Sequence, residues 1–316
     1  MSGKPKRHHT VPRFYLEGFA DGKTLHAVNI QDGTEHNTNV MNATAESHFY
    51  RVQDHPTDPG AFEAALSEAE GVAAGILRSI VQGVWPLSVN DRFAFAQFMT
   101  LQFLRVQSHR RQMHHAIAAI LRDLATDDPA EFARILSLPG APEGVDFTKG
   151  EVPALVSSAA HIQQISTLVP ALVGHLLDRP WELVRFDRPS LITSDEPLTP
   201  VPNPRERQSV GLGLENSWAL LFPLTRELAL VMFRTPIPLQ LTPVDRQIVD
   251  GYFDHSREGD PASLRAFNVN TVMHAYRFVF HHPSDAHLMP PNAVDLARRG
   301  GRINLDDLPD EHRPAP

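Results

Sequence analysis

Between about Asp91 and Asp123 the sequence reads as one long helix whose front half is apolar almost all the way round. Phe93, Ala94, Phe95, Ala96, Phe98, Met99, Leu101, Phe103, Leu104 and Val106 leave it no face to give to water. Such a helix must be enclosed on several sides, so the remainder of the chain has to wrap it. Ser88 or Asn90 can cap its start. Gln102, Arg105, His109 and Gln112 run along it as a polar stripe. A guanidinium on so apolar a rod is costly unless paired. Its expected mate is a carboxylate (Asp195, Glu63 or Glu70) or a substrate anion.

The flanking segments supply the wrapping. Lys23 to Asn29 and Thr34 to Val40 read as strands joined at Gln31-Asp32-Gly33, a hairpin signal. Glu46 to Val52 reads as a further extended piece, closed by the turn residues Asp54 to Gly60. Phe62, Ala65, Leu66, Ala69, Val72, Ala73, Ile76, Leu77 and Ile80 keep a helical period that ends at Gly83 and Pro86. Beyond the rod, helices are predicted over about Pro129 to Leu138 and Pro153 to Leu177, with a Gly/Pro-rich loop at 139–150. Strands follow at Trp181 to Phe186, Leu191 to Thr193, Trp218 to Leu224, Leu228 to Phe233 and Tyr276 to His281. Glu196 to Asn216 is a long Pro-rich loop, and Pro243 to Phe253 and Pro261 to His274 are helical.

This order predicts an α+β fold. A mixed, largely antiparallel sheet takes strands from both chain ends and packs against a central block of long helices, about 61–178. Residues 1–283 are expected to form one domain, and 284–316 a loosely ordered C-terminal tail.

Composition narrows the chemistry. A chain of 316 residues with 42% hydrophobic and 21% charged residues is ordinary globular material. No apolar run is long enough for a membrane span, and the N-terminus lacks a charged-then-apolar leader, so a cytoplasmic location is expected. Without cysteine there are no disulfides, thiolate nucleophiles or sulfur-built zinc sites. A metal would sit on His, Asp and Glu, which suits Mg, Mn, Fe(II) or a water-bearing Zn. The net charge of −8 argues against a generic polyanion binder. Only Lys4, Lys6, Lys23 and Lys149 of the 29 basic residues are lysine, a skew that reflects genome composition before nucleic-acid recognition.

Two stretches carry the candidate chemistry. In the first, Lys6-Arg7-His8-His9-Thr10-Val11-Pro12-Arg13 leads into a short helix with Thr10 as N-cap. Val11, Phe14, Tyr15 and Phe19 share its apolar face, and Gly18 on that face admits another backbone. A helix N-terminus keeps nearby imidazoles neutral, the form that ligates metal or acts as a base. With Lys6, Arg7 and Arg13 it would also hold phosphate. In the bland reading, one histidine caps or fills the core and the other is solvated. The second stretch, Thr193-Ser194-Asp195-Glu196-Pro197, lies where a buried strand enters the Pro-rich loop. Asp195 there can ligate metal, act as a base or pair with a buried arginine; the bland reading is a turn in which it accepts backbone N–H groups. Ser194 lacks a Gly-x-Ser-x-Gly elbow, which argues against a hydrolase triad. Glu63 and Glu70 are about 10 Å apart along their helix, too far to chelate one ion together. Gly211 to Asn216 lacks the third glycine of a dinucleotide fingerprint. His114-His115 and His281-His282 lie at element ends and read as solvated.

His8-His9-x-Val11-Pro12-x-x-Tyr15-Leu16-x-x-Phe19 resembles the opening motif of the bacterial family called domain of unknown function 4238. Further landmarks follow in the same order over roughly residues 6–281. They are the Asp-Gly hairpin, Phe49-Tyr50, the helix with Glu63 and Glu70, Leu101-Gln102-Phe103-Leu104-Arg105, Trp181, Ile192-Thr193-Ser194-Asp195-x-Pro197, Phe222-Pro223-Leu224-Thr225, and Asn268 followed by Ala275. The family's usual asparagine between Asp195 and Pro197 is Glu196 here. The resemblance implies kinship and points to residues, but brings no established activity.

Two functional readings follow. In one, the chain is a nuclease-like hydrolase of a phosphate-bearing small molecule or nucleic acid. His8, His9, Asp195 and Arg105 are its catalytic set, and Arg13, Asn268 and Ser194 bind substrate. A divalent metal (Mg, Mn or Zn) sits on His9, Asp195 and Glu70. In the other, it is a non-catalytic ligand-binding or effector module whose His/Asp/Arg cluster is structural. Neither involves a membrane, and the sequence leaves open whether the chain is an enzyme and in what oligomeric state it works.

Overall fold

A computed structural model describes residues 7–47, 61–137, 158–203, 212–234 and 243–300. The chain opens with strand β1 (Arg7–His9), helix α1 (Arg13–Leu16) and a 3-10 turn over Glu17–Phe19. The hairpin of β2 (Thr24–Asn29) and β3 (Glu35–Asn39) follows, with Gly33 at a positive φ of 77° in its turn. After β4 (Ala45–Ser47) come helices α2 (Ala61–Val81), α3 (Val89–Leu104), α4 (Gln107–Asp127), α5 (Pro129–Leu136), α6 (Ser158–Leu172) and α7 (Gly174–Leu177). The C-terminal half adds β5 (Trp181–Arg185), β6 (Thr193–Ser194), β7 (Thr199–Val201), β8 (Ala219–Pro223) and β9 (Leu228–Phe233). It ends with α8 (Pro243–Val249), β10 (His255–Glu258), α9 (Pro261–His274), β11 (Phe278–His281) and α10 (Ala293–Gly300).

The fold is α+β, and strands from both ends do share a sheet. That sheet has the order β3-β2-β11-β6 and is antiparallel throughout, with His26 opposite His281 and Phe280 opposite Thr193. A second sheet, β10-β5-β9-β8-β7, is antiparallel except for the parallel pair β10–β5. A separate ribbon pairs β1 with β4. One core joins these layers: Val11, Tyr15, Leu16 and Phe19 pack with Phe95, Phe98 and Met99 of α3 and with Trp181, Phe222 and Phe280 of the sheets. The apolar rod packs against α2, α6 and α7, but it is not enclosed all round: Phe93 is exposed, and Ala94, Leu101 and Phe103 are only partly buried.

Several expectations are corrected. The helix predicted from about Asp91 to Asp123 is two helices, because Val106 takes an extended conformation (φ −76°, ψ 160°). Thr10 is not the N-cap of the first helix; Pro12 is, without a side-chain cap. The loop predicted over 196–216 contains β7, whose Pro200 sits on a sheet edge where a missing N–H breaks no ladder. The parallel strand β10 was not predicted. His281 is buried rather than solvated, its ring 4.8 Å from that of His26. Residues 284–300, expected to belong to the tail, are part of the fold. Asp285 is buried and forms a fork-like pair with Arg226 (2.8 and 2.9 Å), and α10 packs on α9. The extended segment predicted through Val52, the loop at 139–150 and residues 301–316 lie wholly or partly outside the described residues.

Candidate functional site

The N-terminal motif is fastened by its backbone. The Thr10 N–H donates to the Thr44 carbonyl (3.2 Å), and the Val11 N–H donates to Thr44 Oγ1 (3.3 Å). Thr44 Oγ1 donates in return to the Val11 carbonyl (3.0 Å). On the other side, Gln102 Nε2 donates to the Thr10 carbonyl (3.0 Å). Tyr15 then reaches across the core, donating to the Pro223 carbonyl (2.7 Å) with its oxygen 2.7 Å from Thr193 Oγ1. Thr193 begins the short strand that leads to Asp195.

Strand β6 delivers Asp195 to the start of β11. Asp195 Oδ1 accepts from the Tyr276 N–H (2.9 Å), and Oδ2 accepts from the N–H groups of Arg277 (2.8 Å) and Phe278 (2.9 Å). Ser194 is buried, and its Oγ accepts from the Glu196 N–H (3.1 Å) in a tight local turn. Glu196 is thereby turned toward α4, where its Oε1 accepts from the Ser108 N–H (3.2 Å). Val106, the N-cap of α4, has no side-chain capping bond. Glu196 therefore caps α4 from a distant part of the chain.

These groups meet in a pocket of about 210 Å³. One wall is Thr10 with Asn42 to Ala45, the opposite wall is Tyr276 to Phe278, and Gln107, Asp195 and Glu196 complete it. Burial pushes Asp195 up to about 6 despite its three backbone donors. Glu196 is pushed up to about 8, first by burial and then by the Asp195 charge beside it, with the Ser108 bond opposing. Both residues are half-buried as a whole and line the pocket. Near neutrality Glu196 holds a proton, and the pair carries less than its full charge.

The residues predicted for the site separate into groups. Asp195 lies in the pocket together with Thr10, the residue that follows the His8–His9 strand. His9 is half-buried, paired in register with Ala45. The side chains of His8, Glu63 and Gln112 lie outside the described ones. Arg105 is elsewhere: fully buried, it donates through Nη1 to Glu70 Oε1 (2.6 Å) and through Nε and Nη2 to Gln102 Oε1. Glu70 is thus the mate of Arg105. Arg13 is exposed, bonded to Glu17 (2.9 Å). Asn268 is buried, accepting from the Ile192 N–H (3.2 Å) and donating to the carbonyls of Ser190 (2.9 Å) and Leu288 (3.3 Å). Among the described residues no three His, Asp or Glu side chains gather as a metal-binding group.

Sequence reasoning passed over Glu196 as a minor departure, and missed Gln107, Asn42 and the 276–278 backbone altogether. The available signal was the acid pair itself. Two adjacent carboxylates before a proline at the end of a buried strand cannot both be solvated freely.

A family model described as "Protein of unknown function (DUF4238)" matches residues 7–285. No curated protein and no solved structure matches the chain. No helix among the described residues is long and apolar enough to cross a membrane.

Proposed function

The chain belongs to the DUF4238 family, and from its geometry we propose that it is a binding module whose pocket at Asp195 and Glu196 takes a small ligand bearing amine or amide N–H groups. One observation carries this reading: Asp195, Ser194, Asn268 and Arg105, all expected to do chemistry, are fully engaged by the fold, whereas Glu196 is bonded only at Ser108 among the described residues. Asp195, Ser194 and Asn268 hold backbone, and Arg105 holds Glu70 and Gln102. The Glu196 Oε1 accepts the Ser108 N–H, and its carboxyl has hydrogen-bonding capacity beyond that contact. Two carboxyls favour N–H donors and disfavour phosphate. Arg105 and Arg13, the cations expected from sequence to hold phosphate, are engaged away from the pocket, and Arg277, which lines it, lies over the Phe278 ring beside two carboxyls. The volume matches about seven waters' share of liquid, enough for a small ligand or one moiety of a larger one.

Thermal-shift and calorimetric screening of small amines, amides and phosphate esters tests the proposal. Amine or amide ligands should raise the melting temperature, and Glu196→Gln should weaken them. Binding confined to phosphate esters would refute it.

A second reading keeps a nuclease-like, metal-assisted hydrolase. It is favoured by the placement of Thr10, which brings the His8–His9 strand to the edge of the pocket that holds Asp195. Its test is metal analysis with a nuclease and phosphatase panel. Turnover that is lost in both His9→Ala and Asp195→Asn would support it over the binding module.

A further inference from the structure

We propose that Glu70, Arg105 and Gln102 act as a buried positioning relay that sets the Thr10 wall of this pocket, with Gln102 as its terminal positioning residue. Arg105 is 0% exposed and Gln102 1%. An amide can face either way, but here two guanidinium nitrogens of Arg105 donate to Gln102 Oε1. That fixes the oxygen toward Arg105 and the NH₂ group toward the Thr10 carbonyl, 3.0 Å away. Glu70 on α2 supplies the counter-charge at Nη1. The far side of the same residue is held by the Thr10 N–H to Thr44 bond. Thr10 and Thr44 both line the pocket, so the relay ends in its wall.

Stability alone is a poor reason for this arrangement. Buried ion pairs contribute little net free energy compared with apolar side chains of similar volume. What the relay does provide is direction: one carbonyl is held in one place by a charge-fixed amide. A change at Glu70, outside the pocket and partly exposed, reaches the pocket through three hydrogen-bonded side chains. The relay rests on reading this pocket as the ligand site, but it can be tested without any ligand.

The test compares Gln102→Met and Glu70→Gln with the parent chain by amide hydrogen exchange and by NMR titration of the Asp195 and Glu196 carboxyls. Gln102→Met preserves volume and removes both the donor to Thr10 and the acceptor of two Arg105 nitrogens. The Thr10 and Val11 amides should then exchange roughly tenfold faster, the effect of about one lost buried hydrogen bond, while Leu230 in β9 is unchanged. The carboxyl titrations should move down toward ordinary values as water enters past the loosened wall. Glu70→Gln should show the same changes at smaller size, and it decides the matter if Gln102→Met does not fold. Unchanged titrations, or acceleration shared equally by Leu230, would overturn the relay. Success here with no ligand found in screening would refute the binding module and leave the relay standing.

Discussion

Tyr15 and Thr193, 178 residues apart, meet through their hydroxyls at 2.7 Å in the centre of the core. Tyr15 has one proton, and the Pro223 carbonyl at 2.7 Å can only accept it. Thr193 must therefore donate to Tyr15. This small chain of bonds ties the N-terminal motif to the strand that carries Asp195. The Tyr15 ring is stacked on Phe222 at 5.3 Å, so the residue serves both the core and the site.

Tyr15→Phe should preserve the stacked ring and remove both bonds. The Pro223 carbonyl would be left buried without that partner, at a cost of about 1–3 kcal/mol. Chemical denaturation should show a lowered midpoint with an unchanged slope.

A second linchpin joins α3 to the far sheet. Arg92, fully buried, donates through Nε to Asp254 (2.7 Å) and lies 4.4 Å above the Trp181 ring. It also donates to the carbonyls of Leu177, Val249 and Arg179. Asp254→Ala would strand that charge and remove the acceptor of the Trp181 N–H. A loss of about 3–5 kcal/mol is expected in equilibrium unfolding.

The parts legible in sequence are those set by local pattern. The apolar periods of α2 and α3, the Asp-Gly hairpin and the buried face of Val11, Tyr15 and Phe19 follow from spacing alone. So does Gly18, where an added Cβ would stand 3.3 Å from the Leu224 carbonyl oxygen. The break between α3 and α4 was not legible, because neither glycine nor proline marks it. It is held by tertiary partners, Glu70 on Arg105 and Glu196 on Ser108, with the local Gln102 bond to Arg105 beside them. Asp195 was readable as a backbone acceptor, but its donors come from residues 276–278 rather than from its own turn. Strand β10 is polar and mostly exposed, so no alternation announced it.

The acid pair should make stability fall as pH rises. Both carboxyls have folded-state pKa values above their ordinary ones, about 6 for Asp195 and about 8 for Glu196. The folded chain therefore binds more protons than the unfolded chain in that range. Their contribution is complete below the ordinary carboxyl range and is lost as pH climbs through the folded values. Denaturation midpoints should decline most steeply from the ordinary carboxyl range up to about pH 6, where both groups contribute, and more gently from there to about pH 8, where Glu196 alone does. Glu196→Gln, neutral at every pH and still able to accept from Ser108, should flatten that decline.

The pairing of Arg226 with Asp285 fastens the C-terminal segment to the turn between β8 and β9. Arg226 also holds Ser190 and Leu191, whose N–H groups donate to its carbonyl (2.8 and 3.0 Å). Asp285→Ala removes two charge-assisted bonds and should cost about 1.5–3 kcal/mol. The Asp285 carboxyl is held below its ordinary range by Arg226 and Ser284, although burial opposes them. That contribution is present above the ordinary carboxyl value and is lost as pH falls through the folded one. The deficit of the variant should accordingly shrink in acid.

The last prediction concerns the N-terminal segment as a whole. Val11, Tyr15, Leu16 and Phe19 are each at most 1% exposed, and all belong to the core shared with α3 and the second sheet. Each is worth about 1.5–3 kcal/mol when buried. Four of them together are comparable with the entire stability of a typical domain, about 5–15 kcal/mol. Removing residues 1–20 also withdraws the Tyr15 bonds and the close approach of Gly18 to the turn after β8. The truncated chain should lose its cooperative melting transition or fail to accumulate in soluble form. A truncation that melts at the parent temperature would mean that this segment lies on the fold without supporting it.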